Sequence, residues 1–336
     1  MLTKTLRRPA TSDTHSTPDR PTVVAVVLLI GYAVVRMYWQ LSDLPGEMQP
    51  ENLDSDLVGF TGWAGVALCA AGAAVGAGLL RPSHGPLANR ILPVAGALIG
   101  LALIAAGALF LLDVVGLIFP GIGIEFFPLG AMSRAVCVGA GVLLAVGSVR
   151  YVFDVRGACR RCGRTDASAG PLSETPMWAY VAAYVAVAGC AVRVLAQAVV
   201  GIDQNPLSSG PAVIAFEGAF LLAGSLLPLA LVHGWGRTWP RWVPFVGRRR
   251  IPRWLVLGPG AGLSAGIVMY FGLMLAMMVA ERLQGRNPFP PTGELVLPEI
   301  FFWFAVPAYF VWGCGMAVAA AVYFLRTRPS CRRCGD

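Results

Sequence analysis

Residues 254–280 read WLVLGPGAGLSAGIVMYFGLMLAMMVA and contain no Asp, Glu, Lys or Arg. A helix of this length rises about 40 Å, enough to cross the ~30 Å hydrocarbon core of a bilayer. Seven further segments are long and apolar enough for the same role: 22–41, 59–80, 92–118, 131–153, 176–200, 211–233 and 300–325. We therefore predict an all-α integral membrane protein with eight transmembrane helices.

The composition supports this class and excludes several others. Hydrophobic residues make up 56% of the chain and charged residues 13%, whereas soluble domains are about 45–50% apolar and about 25% charged. So little charge could not keep a folded surface in water, which excludes a disordered chain, a coiled coil, a secreted disulfide scaffold and an ordinary soluble enzyme. The first apolar segment is too long for a signal peptide and no small-residue cleavage site follows it, so we expect it to remain as a helix.

The distribution of basic residues predicts the orientation. Twenty Lys and Arg residues fall in the two tails and the loops of one side, and only Arg282 and Arg286 fall in the loops of the other. The 42–58 loop contains five acids and no base. Because cytoplasmic loops carry the excess of Lys and Arg, we predict that both termini are cytoplasmic and that 42–58, 119–130, 201–210 and 281–297 face outward.

The chain also repeats itself. Tyr151–Gly163 and Tyr323–Gly335 both end in CRRCG and align at an offset of 172. Arg36 and Arg193 lie late in the first helix of each half, and Arg90 and Arg253 start each third helix. We predict a polar cytoplasmic tail (1–21), two parallel four-helix repeats (22–163 and 176–336) and a cytoplasmic linker (164–175). Ligand sites in duplicated transporters lie between the repeats, although duplicated folds also serve as scaffolds.

The two CRRCG motifs supply four cysteines on the predicted cytoplasmic side, where structural disulfides are rare. Four thiolates match a closed tetrahedral zinc site, and one pair from each repeat would clasp the halves together. Thiol–disulfide exchange is a competing interpretation, since neighbouring arginines favour thiolate, and unliganded thiols are the third. The predicted ligands of one structural Zn²⁺ are Cys159, Cys162, Cys331 and Cys334.

The paired CRRCG motifs, the stretch GWGRTWPRWVP at 234–244 and the RRIPRW continuation carry a resemblance. On the basis of these three motifs, the chain resembles a family of multi-pass membrane proteins from high-GC actinobacteria. The resemblance covers most of the chain beyond residue 21. The resemblance implies a bacterial cytoplasmic membrane location and a duplicated four-helix architecture. It carries no catalytic residue over to this sequence.

Charged residues inside the predicted spans are the candidate ligand site. A charge at the bilayer centre costs about 2.5–3.5 kcal/mol, so such residues pair with each other or face a water-filled cavity. By sequence count, three arginines meet two acids, and the remaining arginine suggests an anionic ligand or a lipid phosphate. The apolar segment 119–128 is a candidate lid over an outward cavity. The candidate residues are Arg36, Asp113, Arg134, Arg193 and Glu217.

The leading functional hypothesis is binding or transport of a small anionic or amphipathic solute at such a cavity. A zinc-clasped membrane scaffold or sensor is the first alternative. An intramembrane enzyme is the second, because Gly262-Leu-Ser264-Ala-Gly266 matches G-x-S-x-G, but the match lies inside a helix rather than at a strand-to-helix turn. The Trp- and Arg-rich stretch 234–254 is typical of a membrane edge, so we predict contact with the bilayer and anionic lipid headgroups and no nucleic-acid binding.

Overall fold

The computed structural model describes residues 19–42, 48, 56–81, 85–159, 174–201, 210–239, 247–289 and 297–328. These residues form α-helices, one 3₁₀ turn at Gly234–Arg237 and an isolated bridge between Thr238 and Arg250, and no strand occurs among them. The helices are α1 (Arg20–Ser42), α2 (Trp63–Leu79), α3 (Ala88–Ala106), α4 (Phe110–Ile118), α5 (Pro128–Val155), α6 (Met177–Val200), α7 (Pro211–Val232), α8 (Arg253–Leu283) and α9 (Glu299–Arg326).

Seven of these helices are long and apolar enough to cross a membrane: α1, α3, α5, α6, α7, α8 and α9. The all-α multi-pass class is therefore confirmed. The remaining predicted span, 59–80, corresponds to α2, which is apolar but has only 17 residues. Its predicted start at residue 59 is wrong because Gly59 and Gly62 adopt positive φ values of 71° and 55°. The helix begins after this left-handed backbone, at Trp63.

The third predicted span, 92–118, is divided into α3 and α4. The interruption lies at Gly107, where a Cβ atom would come within 2.8 Å of the Arg134 carbonyl oxygen on α5. The absence of a side chain at this position lets the chain turn directly against α5. As a result α4 runs beside the start of α5, which brings Asp113 close to Arg134.

Helices in each half pack through small residues. A Cβ atom at Gly100 would lie 2.8 Å from the Gly141 carbonyl oxygen, and one at Gly189 would lie 2.7 Å from the Ala308 carbonyl oxygen. These two approaches join α3 to α5 and α6 to α9. Close backbone approach of this kind is the usual way in which transmembrane helices associate, because lipid gives no hydrophobic driving force between them.

The two halves use the same helix pairs. In the first half α1 packs on α2 and α5, and α3 packs on α5; in the second, α6 packs on α7 and α9, and α8 packs on α9. The halves meet where α3 and α4 contact α8, with Leu111 opposite Gly266. The duplication itself stays a prediction.

The outward faces of the helices are apolar. Val27, Val199 and Ile214 expose 64%, 87% and 75% of their surface. By contrast, Arg36, Asp56 and Arg134 expose 2% or less and lie inside the first half. Apolar residues outside and charged residues inside are the arrangement expected of a protein whose solvent is lipid.

Candidate functional site: a buried charge network beside a cavity

Arg36 of α1 forms the first ion pair of the network. Its Nη1 atom donates a hydrogen bond to Asp56 Oδ1 at 2.5 Å, and the two side chains are 1% and 0% exposed. A longer hydrogen bond of 3.5 Å runs from Nη1 to the Tyr32 hydroxyl. The Arg36 Nε atom is buried without a hydrogen-bond partner.

The count that left one arginine unmatched is wrong, because it placed Asp56 in an outward-facing loop. Asp56 is fully buried just before α2, where it neutralises Arg36. The apolar neighbours Leu57 and Val58 were the one local sign that this acid does not lie in solvent. The argument for an anion drawn in by an unpaired Arg36 therefore no longer holds.

Two hydroxyl groups complete the surroundings of Asp56. Ser133, at the start of α5, donates to Asp56 Oδ2, and the Tyr32 hydroxyl hydrogen-bonds with Ser133. Both carboxylate oxygens are thus satisfied, as a buried charge requires. Sequence reasoning did not select Ser133 or Tyr32, because neither residue type is unusual in an apolar helix.

Arg134 and Asp113 form the second ion pair. The Arg134 Nε and Nη2 atoms each donate to one Asp113 oxygen, both at 2.6 Å. Both side chains are buried, with exposures of 3% and 6%. The remaining Arg134 nitrogen, Nη1, donates to the Asp56 backbone oxygen at 3.3 Å. Arg134 therefore links the two ion pairs into one network, which we call the first-half network.

Arg193 and Glu217 lie in the second half and form a looser group. Arg193 Nη2 is 3.7 Å from Glu217 Oε1, and Arg193 Nε donates to the Tyr309 hydroxyl at 2.8 Å. The Arg193 guanidinium also lies over the Phe220 ring, 5.1 Å from its centroid. The five predicted residues are thus brought together as three in the first half and two in the second. The first-helix arginines, Arg36 and Arg193, each pair with an acid of their own half.

A cavity of about 280 Å³ adjoins the first-half network. Its wall consists of α4, the chain segment that follows α4, and the start of α5. That segment folds back against α4: a Cβ atom at Gly116 would lie 3.2 Å from Ile124 Cγ2, and Ile122 is fully buried. The lining residues are Leu109, Leu112, Asp113, Gly123, Ile124, Glu125, Phe127 and Arg134.

The cavity has a mixed lining with a formal excess of acid. Asp113 and Arg134 neutralise each other, and Glu125 adds a second carboxylate. Glu125 forms no ion pair with any residue that the structure describes. Apolar side chains from Leu109, Leu112 and Ile124 make up much of the rest. This arrangement can hold a molecule with an apolar body and a polar or cationic end.

Of the four predicted zinc ligands, only Cys159 lies within the described residues, where it is partly buried. Cys162, Cys331 and Cys334 lie outside them. Within the described part of the chain, no group of three or more His, Cys, Asp or Glu side chains could hold a metal ion. The zinc clasp therefore stays a prediction.

Ser264 of the G-x-S-x-G match lies within α8, where its hydroxyl donates to the Ala261 carbonyl oxygen at 3.1 Å. The hydroxyl hydrogen is thus used inside its own helix, as is common for a serine within a helix. His233 contacts the Tyr180 ring and the Tyr184 hydroxyl. The described geometry thus places no histidine beside Ser264.

Comparison of the chain with protein-family models, with curated proteins and with solved structures finds no match. The resemblance based on the CRRCG motifs accordingly stays a prediction, and the first-half network with its cavity is the feature from which function is inferred.

Proposed function

We propose that this protein binds or transports a small amphipathic solute at the cavity beside the Arg134–Asp113 ion pair. The observation that carries the proposal is a cavity of about 280 Å³ whose wall contains a buried ion pair and apolar side chains. Ligand sites are commonly cavities with an apolar lining and a few convergent polar groups. Ionisable residues inside a membrane almost always face the bundle interior or a water-filled cavity, and they mark substrate and ion pathways.

The charge balance favours a solute with a cationic or hydrogen-bond-donating end over a simple anion. Each arginine of the first-half network is matched by a carboxylate, Arg36 by Asp56 and Arg134 by Asp113. Glu125 is left as the additional charge in the cavity wall. An anion would meet this carboxylate, whereas a cation or an amine would be attracted to it.

Two small aromatic probes of opposite charge test the proposal: benzyltrimethylammonium and benzenesulfonate. We expect the purified full chain to bind the cation saturably in isothermal titration calorimetry, and at least tenfold more tightly than the anion. Leu112→Trp, which fills the cavity, should abolish binding. Leu117→Trp is the matched control, because Leu117 lies on the same helix but is 64% exposed.

Three outcomes would count against parts of the proposal. Equal loss of binding in Leu112→Trp and Leu117→Trp would show that the probe does not occupy this cavity. Preference for benzenesulfonate would restore the anionic solute. The absence of saturable binding by either probe would refute a solute site of this kind.

We further propose that the protein lies in the bacterial cytoplasmic membrane with both termini in the cytoplasm. The partition of Lys and Arg supports this orientation. The packing is compatible with it: Asp19, before α1, bonds to Arg150 near the end of α5, and Arg326 at the end of α9 bonds to the end of α7. In this orientation the cavity faces outward.

A further inference from the structure

Three arginines converge at the end of the second half that lies away from Arg193 and Glu217. Arg237 ends the 3₁₀ turn after α7, Arg253 begins α8, and Arg326 ends α9. The Tyr323 phenol lies close enough to interact electrostatically with all three, and its hydroxyl donates to the Gly236 carbonyl oxygen at 3.4 Å. We call these three residues the arginine cluster.

The arginine cluster is held by backbone carbonyls rather than by acids. Arg326 Nη1 donates to the Val232 oxygen and Arg253 Nη1 to the Thr327 oxygen, both at 3.3 Å. Within the described part of the chain, no carboxylate forms an ion pair with any member of the cluster. The Nε atoms of all three side chains are buried without a hydrogen-bond partner.

The positive charge of this cluster is not compensated by any carboxylate that the structure describes. Like charges at short range repel each other, and the repulsion grows where the surroundings are less polar than water. Buried donors without partners add a further cost. A bound anion would remove the first cost, since it would neutralise the cluster.

The first half shows what a compensated arrangement looks like. At the offset of 172, Asp154 stands where the second half has Arg326, and Tyr151 stands where it has Tyr323. The Tyr151 hydroxyl donates to Asn89 Oδ1 at 2.7 Å. Replacing an arginine by an aspartate lowers the local charge by two, so the first half has a carboxylate at the position where the second half has its third arginine.

We propose that the arginine cluster binds a phosphate group, supplied either by an anionic lipid headgroup or by a soluble phosphate compound. The planar guanidinium presents paired N–H donors that match phosphate oxygens. The aromatic surroundings favour the lipid source: the Arg253 guanidinium lies 4.8 Å from the centroid of the Trp254 ring, and Trp254 is 63% exposed. Tryptophan is enriched at the level of the lipid headgroups. This site is separate from the proposed solute cavity.

Native mass spectrometry of the purified full chain tests the proposal with phosphatidylglycerol, phosphatidylcholine of identical acyl chains, and inorganic phosphate. We expect saturable binding of phosphatidylglycerol, several-fold tighter than that of phosphatidylcholine. Arg326→Gln and Arg253→Gln should each weaken it about tenfold, as expected for the loss of a charge-assisted hydrogen bond. Arg90→Gln, at the position aligned with Arg253 in the first half, is the matched control and should have no effect.

The three ligands distinguish a lipid headgroup from a soluble phosphate compound as the source of the phosphate. Binding of phosphatidylglycerol that depends on Arg326 identifies a headgroup site, whereas Arg326-dependent binding of inorganic phosphate alone identifies a soluble phosphate compound. If the unsubstituted chain binds phosphatidylglycerol no more tightly than phosphatidylcholine and shows no saturable binding of inorganic phosphate, the proposal is overturned. This result does not depend on whether any variant folds. An equal loss in Arg90→Gln and Arg253→Gln would also overturn it, because the effect would then be general to surface charge.

Discussion

Removal of one partner from the Arg134–Asp113 pair should destabilise the protein strongly. Arg134→Gln leaves the Asp113 carboxylate buried, with two hydrogen bonds of 2.6 Å lost. The hydrogen bond of 3.3 Å from Arg134 Nη1 to the Asp56 backbone oxygen is lost as well. Breaking a buried ion pair by removing one partner costs about 3–5 kcal/mol, because the remaining charge is uncompensated. We expect a loss of about 3 kcal/mol in the free energy of unfolding.

The assay is reversible unfolding in mixed micelles with increasing mole fraction of dodecyl sulfate. Arg286→Gln is the matched control, because Arg286 also contacts both oxygens of a carboxylate, Glu281, at 2.5 and 2.9 Å. That pair is exposed at 58% and 37%, so its removal should cause no measurable change. The double variant Arg134→Gln/Asp113→Asn removes both buried charges and should recover at least about half of the loss.

Burial is the variable that this comparison isolates, since the geometry of the two pairs is alike. If Arg134→Gln and Arg286→Gln changed the free energy of unfolding equally, the reasoning from burial would be refuted. If the double variant were as unstable as Arg134→Gln alone, the cost would come from lost packing rather than from an uncompensated charge.

Three further predictions concern the zinc content, the orientation in the membrane and the loss of stability at acidic pH. Purified protein should contain about one zinc per chain, and cysteine-to-serine variants should each release it; a zinc content unchanged in all four would exclude the clasp. The variants are at Cys159, Cys162, Cys331 and Cys334. In intact cells Asp54→Cys should gain labelling by an impermeant maleimide over the unsubstituted chain and Asp166→Cys should not; the reverse pattern would invert the orientation. Burial raises the pKa of Asp19, but hydrogen bonds from Thr22 and Arg150 outweigh it, so the pKa lies below its ordinary value. A depressed carboxyl pKa stabilises the fold above the unfolded-state pKa of about 4 and loses this contribution as pH falls below it. Asp19→Asn should therefore flatten the decline of stability between about pH 4 and pH 2, and an unchanged acid limb would contradict the assignment.

Several parts of the fold followed from the sequence because they depend on local composition. A run such as 254–280 has no charge over the length of a bilayer, and only a helix satisfies its backbone in lipid. The observed helix Arg253–Leu283 extends that run by a few residues. Asp113 and Arg134 could be selected for the same reason, since any ionised side chain inside such a run needs a partner.

The partner of Arg36 could not be found in this way. Asp56 precedes α2 in a stretch that also contains four other acids, and composition alone places it in solvent. Its burial depends on α1, α5 and the chain before α2 meeting at one point, where Arg36 and Ser133 bind its two oxygens. Contacts between residues so far apart in sequence are a property of packing, which a single sequence pattern does not contain.

The all-α, multi-pass class was therefore determined by the sequence itself, because apolar length and the cost of unpaired backbone groups act within each segment. The tertiary structure decided the rest. Gly107 interrupts a continuous apolar run because its backbone lies against the Arg134 carbonyl of α5. That interruption sets α4 beside α5, forms the Arg134–Asp113 pair and leaves the cavity next to it. Each of these features depends on how two distant segments fit together, and that fit arises only when the whole bundle has packed.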